Sequence, residues 1–243
     1  MELDLGDWIP QDIFLTGDFE STTSALFKKL LQPGDVVVDV GANIGYFSLL
    51  SAGCVGNTVR VYAFEPVPAL VEKLRTNISL NHFEQITVNN FALSDHEEIA
   101  RFYTGPADNS GLSSLREPRQ SRGSFEVQLR PFDTLMLEQD TPISLVKIDV
   151  EGAELQVLQG MENMLRRSRP SCLVEITDAF LREMGGSSSA LLAFFEQLGY
   201  VCYMIGDKKL SLIDSAHGHL PEQWNALFTP RKTLRGMTGI WVD

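Results

Sequence analysis

"VVVDVGANIGYFSLLSA", residues 36–52, decides how the rest of this sequence is read. Residues 36–40 are a run of valines broken only by Asp39, which suits a strand buried on both faces of a parallel sheet. The turn Gly41-Ala42-Asn43-Ile44-Gly45 follows, and residues 44–52 read as the helix behind the strand. A strand, a glycine turn and a helix in this order open a βαβ unit. Such a turn commonly holds an anionic or adenosine-bearing ligand.

Outward from this stretch the alternation continues. Upstream, Leu26, Phe27, Leu30 and Leu31 have helical spacing, and "PGD" at 33–35 ends that helix. Downstream, 58–66 is a second strand, and Val67, Leu70, Val71, Leu74 and Ile78 mark a helix ending near Asn81. Residues 86–95 give a short third strand and its loop. Residues 98–104 and 125–130 read as an antiparallel pair around a polar, glycine- and serine-rich segment at 105–123. Strands follow at 144–150, 171–176, 200–205 and 225–230. One helix is expected at 154–167, and another, capped within Ser187–Ser189, carries Leu191, Leu192, Phe195 and Leu198. The pattern predicts a doubly wound α/β sheet with right-handed crossovers. We divide the chain into an N-terminal helical segment, 1–35, and a main domain, 36–243, with an insertion at about 98–130.

Composition narrows the function. The 243 residues are 44 % hydrophobic, enough for a full core, and the net charge is −12. No lysine or arginine block is present to track phosphates, which argues against nucleic-acid binding. No apolar run is long enough to span a membrane, and the acidic N-terminus is unlike a signal peptide. Three scattered cysteines, with no CxxC pair, suit reduced core thiols. The expectation is a soluble cytoplasmic protein.

The turn limits the ligand. A dinucleotide fingerprint GxGxxG would need glycine where Asn43 and Tyr46 stand. Asn43 would crowd a bridging pyrophosphate, so the turn favours an adenosine ligand without one. S-adenosylmethionine is such a ligand. Its carboxylate can meet the helix N-terminus, and its ammonium can meet Asp39 and the Gly41 carbonyl. Glu65 ends the second strand, 20 residues after Gly45, where a carboxylate can accept both ribose hydroxyl protons. Glu65 would equally serve a nicotinamide cofactor. The plain alternatives are a tight βα turn at Gly41 and Gly45 and a solvated strand end at Glu65.

"DVGANIGYFSLL", "AFEPVP", "NFALSD" and "VKIDVEGAELQVLQG" together resemble the FkbM family of S-adenosylmethionine-dependent methyltransferases. The resemblance runs from about Phe14 to about Pro230. It implies the class I methyltransferase fold, a Rossmann-like, seven-stranded and mostly parallel sheet flanked by helices, with one antiparallel strand. It also implies O-methylation of sugars, glycolipids or natural products. By resemblance, Asp39, Gly41, Asn43 and Gly45 line the methionine half of the cofactor, and Glu65 holds the ribose. Ser94 and Asp95 then meet the adenine, and Glu20 approaches the methionine end. The alternatives are a loop cap for Ser94 and Asp95 and a surface helix start for Glu20.

Ligands of open α/β sheets lie at the carboxyl ends of the strands. There the fourth strand releases Asp149 and Glu151, with Glu154 one turn on, and Glu175 leaves its neighbour. One of these carboxylates can act as general base. Alternatively, Asp149 and Glu175 can bind a divalent cation; we favour the base reading. Glu151 and Glu154 are also residues that decorate a helix N-terminus without chemistry. Lys147 shares a strand face with Asp149 and can pair with a carboxylate rather than act in chemistry. Asn109, Ser113 and Ser114 of the polar segment are assigned to a lid over cofactor or acceptor; the alternative is an unstructured insertion. The HxH pair His217 and His219 reads as surface loop. Two other functions remain open: a nicotinamide-linked oxidoreductase, and a cofactor-binding interaction module without turnover. The expected acceptor is a small molecule or glycan hydroxyl. A dimer, or a domain of a larger biosynthetic enzyme, is compatible with all of this.

Overall fold

Strand β1 (Val36–Val40) runs through the interior of a sheet, with all five of its side chains buried. It pairs in parallel with β2 (Arg60–Phe64) on one side and β7 (Leu145–Ile148) on the other. β3 (Ile86–Asn89) extends the sheet beyond β2, and β8 (Ser171–Thr177) extends it beyond β7. The computed structural model describes residues 1–105, 111, 113–116, 123–135, 142–207, 209–213 and 220–230. Asn109, His217 and His219 lie outside the described residues.

Among the described residues the sheet has eight strands, one more than the seven expected. Its order is β10-β9-β11-β8-β7-β1-β2-β3, with β9 at Tyr200–Gly206, β10 at Lys209–Ile213 and β11 at Gln223–Pro230. Two strands run against the rest: β11 inserts between β8 and β9, and β10 closes the edge beside β9. The extra strand β10 is a short edge strand. Leu210 is buried while Leu212 is 52 % exposed, too brief an alternation to stand out in the sequence.

Pleating explains why the buried strands read as unbroken hydrophobic runs. Val36, Val38, Val40, Val146, Ile148 and Val174 face one core, shared with Val157, Leu165 and Phe195. These last three lie on α5 (Glu154–Gly160), α6 (Glu162–Ser168) and α8 (Ser188–Gln197). Val37, Val61, Leu145 and Leu173 face the opposite core, against Leu26 and Phe27 of α2 (Ser21–Leu30) and Phe47 of α3 (Tyr46–Val55). Asp39, Lys147 and Glu175 follow the second set by two-residue alternation. They therefore point to the α2–α3 side, away from the larger core.

The expected pair at 98–104 and 125–130 forms as β5 (Glu98–Thr104) against β6 (Gly123–Arg130), joined by β4 (Ala92–Leu93) in a separate three-stranded sheet. Two helices went unread. α1 (Trp8–Thr16) carries apolar residues on all sides, so it shows no clean stripe, and α7 (Asp178–Glu183) is too short to show one. The expected helix at 154–167 breaks at Met161. Asp133 accepts from the backbone N–H groups of Asn163 and Met164, at 2.8 and 2.9 Å, and so caps a new helix start. Ser187 caps α8 as expected, accepting from Ala190 N–H at 3.1 Å. All three cysteines are free; Cys172 and Cys202 are buried, but Cys54 is exposed on the outer side of α3 and is no core thiol. Among the described residues, no helix is long and apolar enough to cross a membrane.

Gly160 ends α5 where the helix meets the loop after β4, and a Cβ there would overlap the Ser94 carbonyl. Gly160→Ala is therefore expected to destabilise the fold by on the order of 3 kcal/mol, read as a lower denaturant midpoint. An unchanged midpoint would show that this contact can open without cost.

Candidate active site

The carboxyl ends of β1, β2, β7 and β8 open into a cavity of about 580 Å³. The βα turn forms one wall. Gly41 has φ 79°, and a Cβ there would overlap the Asp149 carbonyl oxygen, so glycine lets the β1 and β7 ends close together. Gly45, at φ 93°, does not line the cavity; its missing Cβ makes room for Leu74 of α4 (Pro68–Asn81). Asn43 occupies the left-handed region at φ 51°, and its Oδ1 accepts from Ile44 N–H at 2.7 Å. Short polar side chains tolerate that conformation better than most residues.

Glu65 is fixed by this turn. Its Oε2 accepts from Asn43 N–H at 2.9 Å and its Oε1 from Val67 N–H at 2.8 Å, yet it still lines the cavity. Each oxygen keeps a lone pair for a further donor. Burial pushes its pKa up to about 7, against the backbone hydrogen bonds that favour the ionised form. Asp39 is held by the Ser48 hydroxyl at 2.6 Å, and burial raises it to about 6.

The centre of the cavity holds a buried cation. Lys147 is 1 % exposed, with Nζ 3.3 Å from Asp149 Oδ2 and 5.1 Å from the centre of the Phe47 ring. Burial opposes its charge, but Asp149, Glu20 and Glu175 outweigh burial and hold the ammonium above the usual lysine pKa. Glu20 begins α2 in a left-handed conformation, φ 45°, and burial raises its pKa. Glu175 is raised to about 9, by Asp149 first and then by burial. Glu151 sits at φ 57°, and burial, Asp149 and Glu154 raise it to about 8.

The structure thus brings Glu20, Asp39, Gly41, Asn43, Glu65, Ser113, Lys147, Asp149, Glu151 and Glu175 to one cavity. It leaves five expected residues off the walls. Ser94 Oγ turns to Asp95 Oδ1 at 3.2 Å, while Asp95 also meets His96 at 2.6 Å. Ser114 is buried against its own loop, its Oγ donating to the Arg116 carbonyl at 2.9 Å. Gly45 makes the fourth. Glu154, the fifth, caps its own turn by accepting from Gly152 N–H at 3.0 Å.

Several wall residues escaped sequence reasoning. Phe91 lines the cavity just ahead of Ala92 and Leu93, and it was visible only as the aromatic residue before "ALSD". Trp8 comes from the unread α1. Gln223 and Asn225 come from β11, where Asn225 lies opposite Glu175 in register. The roof comprises Gly111, Ser113 and Leu115, and it is tied at two points. Ser114 and Tyr103 exchange backbone hydrogen bonds at 2.9 and 3.0 Å. Arg116 stacks 3.8 Å over Phe180 of α7 and pairs with Glu183 at 3.2 Å.

Comparison with known proteins identifies the family and the fold. The family description "Methyltransferase FkbM domain" matches residues 39–202. The "31-O-demethyl-FK506 methyltransferase FkbM" of Streptomyces tacrolimicus is 32 % identical over 55 % of this chain and 62 % of its own length. The "hexuronic acid methyltransferase AglP" of Haloferax volcanii is 32 % identical over 60 % of this chain and 58 % of its own. The chain therefore spans about six tenths of these relatives. The crystal structure of a methyltransferase FkbM from Methylobacillus flagellatus superposes with a TM-score of 0.52 at 16 % identity. That match covers 90 % of this chain and 52 % of the other, and it shows the class I methyltransferase fold. The family match takes in well over half of the residues, and the chain belongs to the FkbM methyltransferase family.

Proposed function

We propose that this methyltransferase moves the methyl group of S-adenosylmethionine to a hydroxyl of a sugar, glycolipid or natural-product acceptor. The observation that carries the reading is one cavity lined by both Glu65 and the Lys147–Asp149 pair. β2 and β7 lie two strands apart, so the two groups are separated by roughly 10 Å. That suits a ribose at one end and a reacting centre at the other. The name of the first relative, with its O-demethyl compound, supports a hydroxyl acceptor, and that of the second, with its hexuronic acid, supports a sugar. The net charge of −12 would repel a nucleic acid, so we read the acceptor as a small molecule or glycan. Free cysteines fit a reducing cytoplasm.

The residues present fit the cofactor. Glu65 is already oriented by two N–H groups, and its remaining lone pairs suit two ribose hydroxyls. Asp39 and the Gly41 carbonyl suit an ammonium, and the N-terminus of α3 suits a carboxylate. Phe91 offers an apolar wall for the adenine, in place of the side chains of Ser94 and Asp95. When bound, S-adenosylmethionine supplies a sulfonium methyl carbon that takes an electron pair from the acceptor oxygen while sulfur keeps the electrons of the broken bond.

The chain itself must hold the acceptor, exclude water and remove a proton. We assign the proton to Glu151. It lines the cavity, and a base with a pKa near the working pH is the most effective kind. Its left-handed backbone is an unusual conformation kept at the site. Lys147 holds Asp149 in place, and Glu175, raised to about 9, is protonated near neutrality and can donate a hydrogen bond to the acceptor. Ser113 and Leu115 close the roof, which Arg116 clasps to α7.

Three outcomes are expected. Cofactor binding needs ionised Glu65, whose pKa lies about 7 in the free protein. Calorimetry with S-adenosylhomocysteine should show affinity falling as pH drops below about 7 and levelling above it. Glu65→Gln should weaken binding at least about tenfold and flatten that profile; no binding by the wild-type protein would sink the cofactor reading. Glu151→Gln should lower kcat by roughly 10²–10⁴-fold and leave S-adenosylhomocysteine affinity unchanged, with wild-type turnover rising towards about pH 8. Retention of full turnover in that variant would remove Glu151 as the base. Arg116→Ala should speed cofactor-product release several-fold in stopped-flow measurements, whereas an unchanged release rate would deny the roof a gating role.

A further inference from the structure

We propose that Glu20, Asp149, Glu175 and Asn225 form a site for a divalent metal ion that prefers oxygen ligands. The inference deepens the methyl-transfer reading and rests on it for the ion's role.

The sheet register places three of these groups in one row. Ile148 of β7 pairs with Val174 of β8, so the next residues along, Asp149 and Glu175, leave the sheet side by side. Glu175 in turn pairs with Asn225 of β11. Adjacent strands lie about 4.8 Å apart, which sets the spacing of side chains in such a row. Glu20 arrives from the start of α2, on the sheet face that Lys147 and Glu175 share. One oxygen each from Glu20, Asp149 and Glu175 lies within 4.8 Å of the other two. One ion with metal–oxygen bonds of about 2.1–2.6 Å can span that group after small side-chain shifts.

Two observations outside the spacing point to a ligand. Glu20 Oε2 and Asn225 Oδ1 are both shut away from solvent with no hydrogen-bond partner, and both residues line the cavity. Buried acceptors left unsatisfied are costly and rare in native structures. The remaining oxygens are held ready. Gln223 Nε2 donates to Glu175 Oε1 at 2.7 Å, and Lys147 Nζ donates to Asp149 Oδ2 at 3.3 Å. Glu175 and Asp149 thus each have one oxygen anchored by a neighbouring donor, as outer partners commonly orient metal ligands.

Charge and ligand type agree. A bound ion would displace the proton of Glu175; three ionised carboxylates and the Lys147 ammonium then leave two negative charges, which one divalent ion balances. Oxygen ligands alone select magnesium, manganese or calcium over zinc. With the ion in place, the acceptor oxygen would bind beside it. The developing negative charge would be stabilised there while the hydroxyl proton passes to Glu151, which is outside the ligand set.

The test is a Mn²⁺ titration of the whole chain, followed by electron paramagnetic resonance, with S-adenosylhomocysteine calorimetry on the same samples. One ion per chain is expected, displaced by Mg²⁺ or Ca²⁺. Glu175→Gln and Glu20→Gln should each weaken it at least about tenfold while retaining the wild-type circular dichroism spectrum. Asn225→Asp adds a carboxylate and should tighten it, which keeps the test open if a glutamine variant misfolds. No saturable binding up to roughly 1 mM Mn²⁺, or binding that survives both glutamine variants, would overturn the site. S-adenosylhomocysteine binding without Mn²⁺ binding would overturn this inference alone and leave the cofactor reading standing.

Discussion

A buried ammonium organises this molecule's centre. Lys147 sits in the middle of a strand with 1 % exposure, where an unpaired charge would cost several kcal/mol. The surrounding carboxylates make that position tolerable, and they come from separate parts of the chain. Asp149 is on the same strand face, Glu175 leaves the next strand, and Glu20 begins a helix more than a hundred residues earlier. Only the assembled sheet with α2 packed on it brings the four together. The burial of the lysine and the gathering of these carboxylates therefore have one cause.

The close approach of backbones is the second constraint. Gly41 admits the Asp149 carbonyl, Gly45 admits Leu74, and Gly160 admits the Ser94 carbonyl. The first of these bears directly on the turn. Gly41 was assigned to the cofactor from the sequence, and it also joins the ends of β1 and β7. The glycine turn and the carboxylates after β7 are held close together because these two loop backbones touch. Glu65 adds a further tie, since its carboxylate pins the turn to the end of β2.

Much of the fold was legible because buried parallel strands leave a local trace. Valine-rich runs mark β1 and β7, and the 3.6-residue period of Leu70, Val71 and Leu74 marks α4. The elements that went unread have no such trace. α1 is apolar all round, α7 is a turn and a half, and β10 is an edge strand with one buried leucine. The break at Met161 depends on Asp133, a capping group some thirty residues away in sequence, so no local pattern could report it. The site divides in the same way. Glu65 and the Asp149–Glu151 stretch follow from their positions at strand ends. Phe91, Gln223, Asn225 and Arg116 became visible only through what they face.

The sequence by itself determined the α/β alternation, the character of the glycine turn and the presence of carboxylates at the ends of the central strands. These are properties of short segments, set by periodicity and by residue type at a turn. Tertiary structure alone decided that Ser94 and Asp95 turn away from the cavity and that Glu154 caps its own loop. It also decided that Glu20 joins Lys147, Asp149 and Glu175. Each of these outcomes depends on which strands are neighbours and which face of a strand a helix covers. The insertion of β11 between β8 and β9, which places Asn225 opposite Glu175, is a relation across fifty residues that hydrogen-bond register specifies and side-chain pattern does not.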